Sequence, residues 1–234
     1  MFYSAVLAGV LATMLISTAA GAAPATATPE EAFRQAFPQV KMESIQETDI
    51  KGLYEVISGQ NLLYYYPEHD YIFVGEIFNK QSKNLTAERR GKIMAGLARD
   101  LPLEKAVRIG NGKKVVIEIT DPDCDFCRAA SKYLAGKTNL TRYVFFAPIA
   151  HPAAINKIHY ILGAADKPHA YEEMMGGRDI PPTAPVVGAE IISLARDHLS
   201  LARKIGVRGT PTFFINGHTV VGADIEKLEQ LLKD

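Results

Sequence analysis

Val115-Val116-Ile117-Glu118-Ile119-Thr120-Asp121-Pro122-Asp123-Cys124-Asp125-Phe126-Cys127 is the stretch on which the fold turns. Its first six residues are a β-branched run broken only by Glu118, the pattern of a strand buried on both faces. Asp121-Pro122-Asp123 cannot continue that strand and reads as a loop. Cys124-Asp125-Phe126-Cys127 then opens a segment, Arg128 to Leu134, that can continue as helix. Strand, loop, paired cysteines, helix is an arrangement suited to thiol chemistry. A cysteine at a helix start meets unpaired N–H groups and the positive dipole end, which favour the thiolate.

These two cysteines are the only ones in the 234 residues. A pair three apart closes almost no loop, so stapling the unfolded chain is a poor use for it. Zinc needs further close ligands, and no second pair or neighbouring His is present. Haem attachment needs His after the second Cys, where this chain has Arg128. Redox exchange remains, with Cys124 attacking a disulfide and Cys127 resolving the mixed disulfide from the same helical turn. No cofactor is required.

Glu118 lies six residues before Cys124 in an apolar strand and is expected to be buried. Desolvation would raise its pKa and let it exchange protons with a cysteine during turnover. Asp125 places a negative charge beside Cys124, opposing the helix dipole, and so predicts a less oxidising pair. With Phe126 it is a candidate for redox tuning. Further on, Gly209-Thr210-Pro211 precedes the apolar run Thr212-Phe213-Phe214-Ile215. Pro cannot donate to a sheet ladder, which puts it at a strand's start or edge. A cis Thr210–Pro211 bond would present the Thr210 backbone to a substrate strand.

Working outward, Tyr143 to Ala147 reads as a second buried strand. Helical segments are expected at 153–164 and 185–204, strands at 212–215 and 219–221, and a terminal helix from Asp224. Asn216-Gly217 between the last two strands is a strong hairpin signal. Upstream, Pro29-Glu30-Glu31 starts a short helix that Pro38 ends. Strand-like runs follow at 44–48, 53–58, 61–66 and 71–76, a small antiparallel meander whose thin core needs a partner. Thr86, as N-cap, opens a helix carrying Ile93, Leu97 and Leu101 that ends near Pro102. The domains expected are thus 23–85, a linker helix at 86–105, and an α/β unit at 106–234.

Phe2 to Ile16 is almost wholly apolar, and Ala20-Gly21-Ala22 has the small-x-small form of a cleavage site. Residues 1–22 are therefore expected to be a signal peptide, cleaved on export to the periplasm, although no Lys or Arg precedes the apolar run. Formal net charge is zero, so composition offers no electrostatic case for nucleic-acid binding. His69, His151, His159, His169, His198 and His218 are scattered and read as surface or packing residues rather than metal ligands. Two Asn-Leu-Thr sequons, at Asn84 and Asn139, are of a kind frequent by chance.

On Cys124-Asp125-Phe126-Cys127, Gly206-Val207-Arg208-Gly209-Thr210-Pro211, Glu118, and the run Leu62-Leu63-Tyr64 through Val74-Gly75-Glu76, the chain resembles the bacterial DsbC/DsbG family of periplasmic disulfide isomerases over its mature length. The resemblance implies a mixed α+β and α/β chain. It would have a thioredoxin-like catalytic domain with a helical insertion and a small cystatin-like N-terminal dimerisation domain. It also implies a V-shaped homodimer acting on misfolded, wrongly disulfide-bonded proteins, with Thr210 and Pro211 at the substrate and a DsbD-type membrane reductant. Two departures stand out. There are no cysteines for a second, structural disulfide, and Asp-Phe replaces the common Gly-Tyr or Pro-Tyr. Two alternatives stay open: a DsbG-like reductase protecting single oxidised cysteines, and a chaperone-like binding module in which the cysteines matter little.

Overall fold

The computed structural model describes residues 27–183 and 186–233, so the expected signal segment lies outside the described residues. Helix α1 (Pro29–Ala36) begins on a reciprocal cap. Thr28 Oγ1 accepts the Glu31 N–H at 3.2 Å, and the Glu31 carboxylate accepts the Thr28 N–H at 2.8 Å. The helix buries Phe33 edge-on against Tyr65, centroids 5.1 Å apart, in a small core with Met42 and Val56. Beneath it lies an antiparallel sheet in sequence order: β1 (Ser44–Glu47), β2 (Tyr54–Ser58), β3 (Asn61–Tyr66) and β4 (Tyr71–Phe73). Strand β4 is shorter than its hydropathy suggests, because the chain leaves the sheet after Phe73 and Val74 is 79% exposed.

Helix α2 (Leu85–Ala98) is capped by Asn84, whose side chain accepts the Ala87 N–H at 2.9 Å. Thr86, expected as the cap, sits inside the first turn. Its hydroxyl is buried, 2.6 Å from Tyr64 OH, and accepts the Ile77 N–H at 2.9 Å. Tertiary partners for the hydroxyl thus displaced it from the capping role. The second half of α2 and the residues just after it are built into the larger unit: Ala95, Ala98 and, beyond the helix, Leu101 share a core with Ile119, Phe145, Ala202 and Phe214.

That unit is a five-stranded sheet in the order β5-β7-β6-β8-β9. Its strands are β5 (Val107–Ile109), β6 (Lys114–Thr120), β7 (Leu140–Phe146), β8 (Thr212–Ile215) and β9 (His218–Val221). Strands β6 and β7 run parallel, and the other pairs are antiparallel. Helix α3 (Asp125–Ala135) supplies the crossover between the parallel pair. Asn216 and Gly217, both at positive φ, turn the β8–β9 hairpin as their sequence requires. Between β7 and β8 lie α4 (Ile155–Gly163), α5 (Lys167–Met175) and α6 (Ala189–Lys204), and α7 (Ile225–Leu232) closes the chain. Strand β5 and helix α5 were not anticipated. The former is three residues long. The latter mixes Lys, His and Glu with its buried Ala170, Tyr171, Met174 and Met175, which blurs the helical period.

Candidate functional site

Side chains alternate along a strand, so Val116, Glu118 and Thr120 of β6 fall on one face. Helix α3 covers that face, with Leu134, Ser131 and Cys127 three and four residues apart along one helical stripe. Val116 shares a core with Ala130 and Leu134, Glu118 belongs to a network that includes Ser131, and Thr120 lies at Cys127. The strand thus carries one apolar, one charged and one hydroxyl group toward the cysteine helix, in that order. Cys127 stands at the end nearest the loop.

Cys124 is the N-cap of α3, with extended φ and ψ of −86° and 119°. The unpaired N–H groups of the first turn therefore lie beside its side chain. Its own N–H donates to the Asp121 carbonyl at 3.1 Å, which fixes the loop that delivers it. Both cysteines are thiols, Cys124 6% exposed and Cys127 fully buried. Burial pushes the Cys127 thiol up to about 12, partly offset by the Thr120 and Thr210 side chains and the Asp121 backbone. The two sulfurs thus differ in the way stepwise exchange needs, one keeping slight exposure and one wholly enclosed.

The Thr210–Pro211 bond is cis, and the Cys124 thiol donates to the Thr210 carbonyl at 3.6 Å. Residues 86 apart in sequence are therefore brought into contact at the mouth of the site. Pro211 precedes β8, as its missing N–H demands.

Glu118 is buried but is not the isolated acid that its strand context suggested. Arg142 of β7 donates to Glu118 Oε2 at 2.7 Å from Nη2 and 3.1 Å from Nε. Arg142 Nη2 also donates to Ser131 Oγ and Tyr171 OH, at 3.2 and 2.6 Å. Tyr171 OH lies 3.0 Å from both Glu118 Oε1 and Ser131 Oγ. Burial alone would lower the Arg142 pKa, yet the Glu118 carboxylate and Tyr171 more than offset it and hold the guanidinium charged. Burial and the Glu118 charge push the Tyr171 phenol up. Glu118 is thus the counter-charge of a buried cation. The groups that face the Cys127 sulfur are instead Thr120, Thr210, Cys124 and the Asp121 backbone.

Asp125 also differs from its sequence reading. Its side chain is 91% exposed, and Arg128 Nη2 donates to its carboxylate at 2.8 Å, so the charge is paired and in water. Phe126 projects outward between the cysteines, 69% exposed, an apolar surface beside the reactive sulfur.

Sequence reading also missed the residues that hold the cysteine loop in place. Asp121 is buried, its carboxylate accepting the Asp123 N–H at 2.9 Å and lying 3.0 Å from His151 Nδ1. His151, read as surface or packing, follows β7 and ties the cysteine loop to that strand's exit. Lys157 adds a second tie, donating to Asp123 at 2.6 Å. The one local signal was the acid on either side of Pro122. Among the described residues no three His, Cys, Asp or Glu side chains converge as metal ligands.

Residues 101–234 match the thioredoxin-like domain family, and residues 20–87 match the disulfide bond isomerase protein N-terminal domain. A probable thiol:disulfide interchange protein DsbC of Bordetella pertussis is 31% identical over 198 residues, 83% of this chain and 69% of that protein. Among solved structures, a linker-deletion variant of Proteus mirabilis ScsC is similar in fold. Its TM-score is 0.52 at 18% identity, over 63% of this chain and 84% of that one. The thiol-disulfide exchange protein α-DsbA2 of Wolbachia pipientis gives a TM-score of 0.51 at 18% identity, over 63% and 97%.

Proposed function

The chain belongs to the DsbC family of thiol:disulfide interchange proteins, and on that premise we propose that Cys124 is its attacking sulfur and Cys127 its resolving one. The protein is a disulfide isomerase and oxidoreductase with a thioredoxin-like domain. The observation that carries the division of labour is the contrast between the two thiols. Cys124 caps α3 at the mouth of the site against the Thr210 carbonyl, while Cys127 is enclosed behind it.

Thiol exchange proceeds from the thiolate form of the attacking cysteine. That thiolate attacks one sulfur of a substrate disulfide and forms a mixed disulfide, and the other substrate sulfur leaves as a thiolate that takes up a proton. A second substrate thiol can then displace Cys124, which rearranges the substrate without net electron transfer. Alternatively Cys127 attacks Cys124, which oxidises the pair and reduces the substrate. The Thr210 backbone and Pro211 hold the substrate strand beside Cys124, and exposed Phe126 offers it an apolar contact. Glu118 acts through Arg142 and Ser131 to position α3. The deep burial of Cys127 favours slow resolution, and so isomerisation over plain reduction.

The substrates are misfolded exported proteins with wrong disulfides, handled in the periplasm, and a membrane reductant of the DsbD type returns the pair to thiols. The working form is a homodimer joined through the N-terminal sheet. Supporting this, Tyr71, Phe73, Val74 and Phe78 are exposed large apolar residues along and beyond β4, an edge strand with one neighbour. Refolding of scrambled ribonuclease tests the central reading. Cys124→Ala is expected to abolish isomerisation, and a variant that still restores ribonuclease activity would leave only a binding module.

A further inference from the structure

Thr120 ends β6 with its side chain fully buried, and its Oγ1 makes no hydrogen bond of normal geometry among the described residues. A buried hydroxyl left in that condition is destabilising, and Val would suit the same β-branched strand position without the penalty. The polar atom that the hydroxyl faces is Cys127 Sγ. A thiol is a weak acceptor, whereas a thiolate is a strong one. No charged side chain is among the groups acting on that sulfur. Negative charge forming there must be met by dipoles.

We propose that Thr120 is a catalytic residue of the resolving step, its hydroxyl donating to the Cys127 sulfur as that sulfur becomes a thiolate and attacks Cys124. The inference rests on the reading of Cys124 as attacker and Cys127 as resolver. In the step, the Cys127–Cys124 bond forms and the bond from Cys124 to the substrate sulfur breaks. The pair is oxidised by two electrons, the substrate is reduced, and the proton lost from Cys127 is taken up by the departing substrate sulfur. Thr120 transfers no proton. It lowers the barrier because its hydrogen bond strengthens as charge develops in a dry site. Thr210 also faces Cys127 but is only half-buried and lies on the substrate loop. Thr120 is the donor that substrate cannot divert. By setting the rate at which Cys127 ends the mixed disulfide, it sets the time available for rearrangement, and hence the balance of isomerisation and reduction.

The test follows the full chain with a disulfide-bonded peptide, quenched and alkylated at intervals so that formation and resolution of the mixed disulfide are timed separately. Thr120→Val, which keeps the shape, should slow resolution roughly tenfold, the scale of one hydrogen bond to a charged group. The covalent complex should accumulate, and Thr120→Ser should restore most of the rate. Thr120→Ala serves in place of Val if Val fails to fold. Unchanged resolution, or equal slowing of both steps, overturns the role of Thr120. A covalent complex still forming in Cys124→Ala would instead overturn the assignment of the attacking sulfur.

Discussion

Arg142 and Glu118 meet 2.7 Å apart with their side chains 4% and 0% exposed, a complete ion pair closed inside the catalytic domain. They belong to adjacent parallel strands, and the hydroxyls of Ser131 and Tyr171 occupy the remaining sites, so α3 and α5 are tied to the sheet at one point. Removing one partner strands a charge. Arg142→Met or Glu118→Gln should therefore cost about 3–5 kcal/mol in denaturant unfolding. Replacing both with apolar residues of similar volume should recover most of that. If Glu118→Gln were as stable as the parent yet altered the pH profile of thiol exchange, Glu118 would be a proton carrier after all.

The Asp125 carboxylate lies in water against Arg128, and exposed ion pairs interact weakly. Asp125→Gly is therefore expected to move the redox equilibrium with glutathione by less than about fivefold, the scale of a solvated pair. A larger change would mean that the charge reaches the Cys124 sulfur despite its partner.

What could be read from the residues was set by periodicity and chain-local chemistry. The run Val115 to Thr120, the cysteine spacing and Asn216-Gly217 each specify local backbone through their own side chains, and each stands where its residues require. Glu118 was legible as buried but not as paired, because Arg142 is 24 residues away and a cation inside β7 breaks the apolar rule that identifies such strands. Thr86 looked like a cap because capping is a local preference, and a buried contact with Tyr64 outweighed it. Thr120 gave no signal, and Asp121 only the weak one of an acid beside Pro122. A hydroxyl at a strand end and an acid in a turn are ordinary until the helix that follows them brings a sulfur alongside.

Exposed Phe73 and Val74 mark the open edge of the N-terminal sheet, where the proposed dimer forms. A Lys on an edge strand opposes pairing with a second chain through charge repulsion and desolvation. Phe73→Lys with Val74→Lys should shift the protein to monomer in sedimentation. Ribonuclease isomerisation should fall severalfold, while reduction of a small disulfide by Cys124 and Cys127 persists. A dimer surviving both substitutions would place the seam elsewhere.

His198 gives the acid limb of stability. It is fully buried on α6 between Phe145 and Phe146, its Nδ1 accepting the Phe146 N–H at 3.2 Å and its Nε2 2.9 Å from the Lys105 carbonyl. That pairing requires the neutral ring protonated on Nε2. Burial lowers its pKa from 6.5 to about 4, against the smaller opposing pull of the Lys105 carbonyl. Between these values the unfolded chain binds the proton and the native chain does not, so stability rises with pH across that window. The contribution is fully present above pH 6.5, is lost as pH falls from there toward about 4, and amounts to about 3 kcal/mol. Denaturant midpoints measured from pH 4 to 7 should therefore climb more steeply for the parent than for His198→Gln, which keeps a donor and an acceptor but cannot titrate. Parallel curves for the two proteins would show that protonation of His198 is not what weakens the fold in acid.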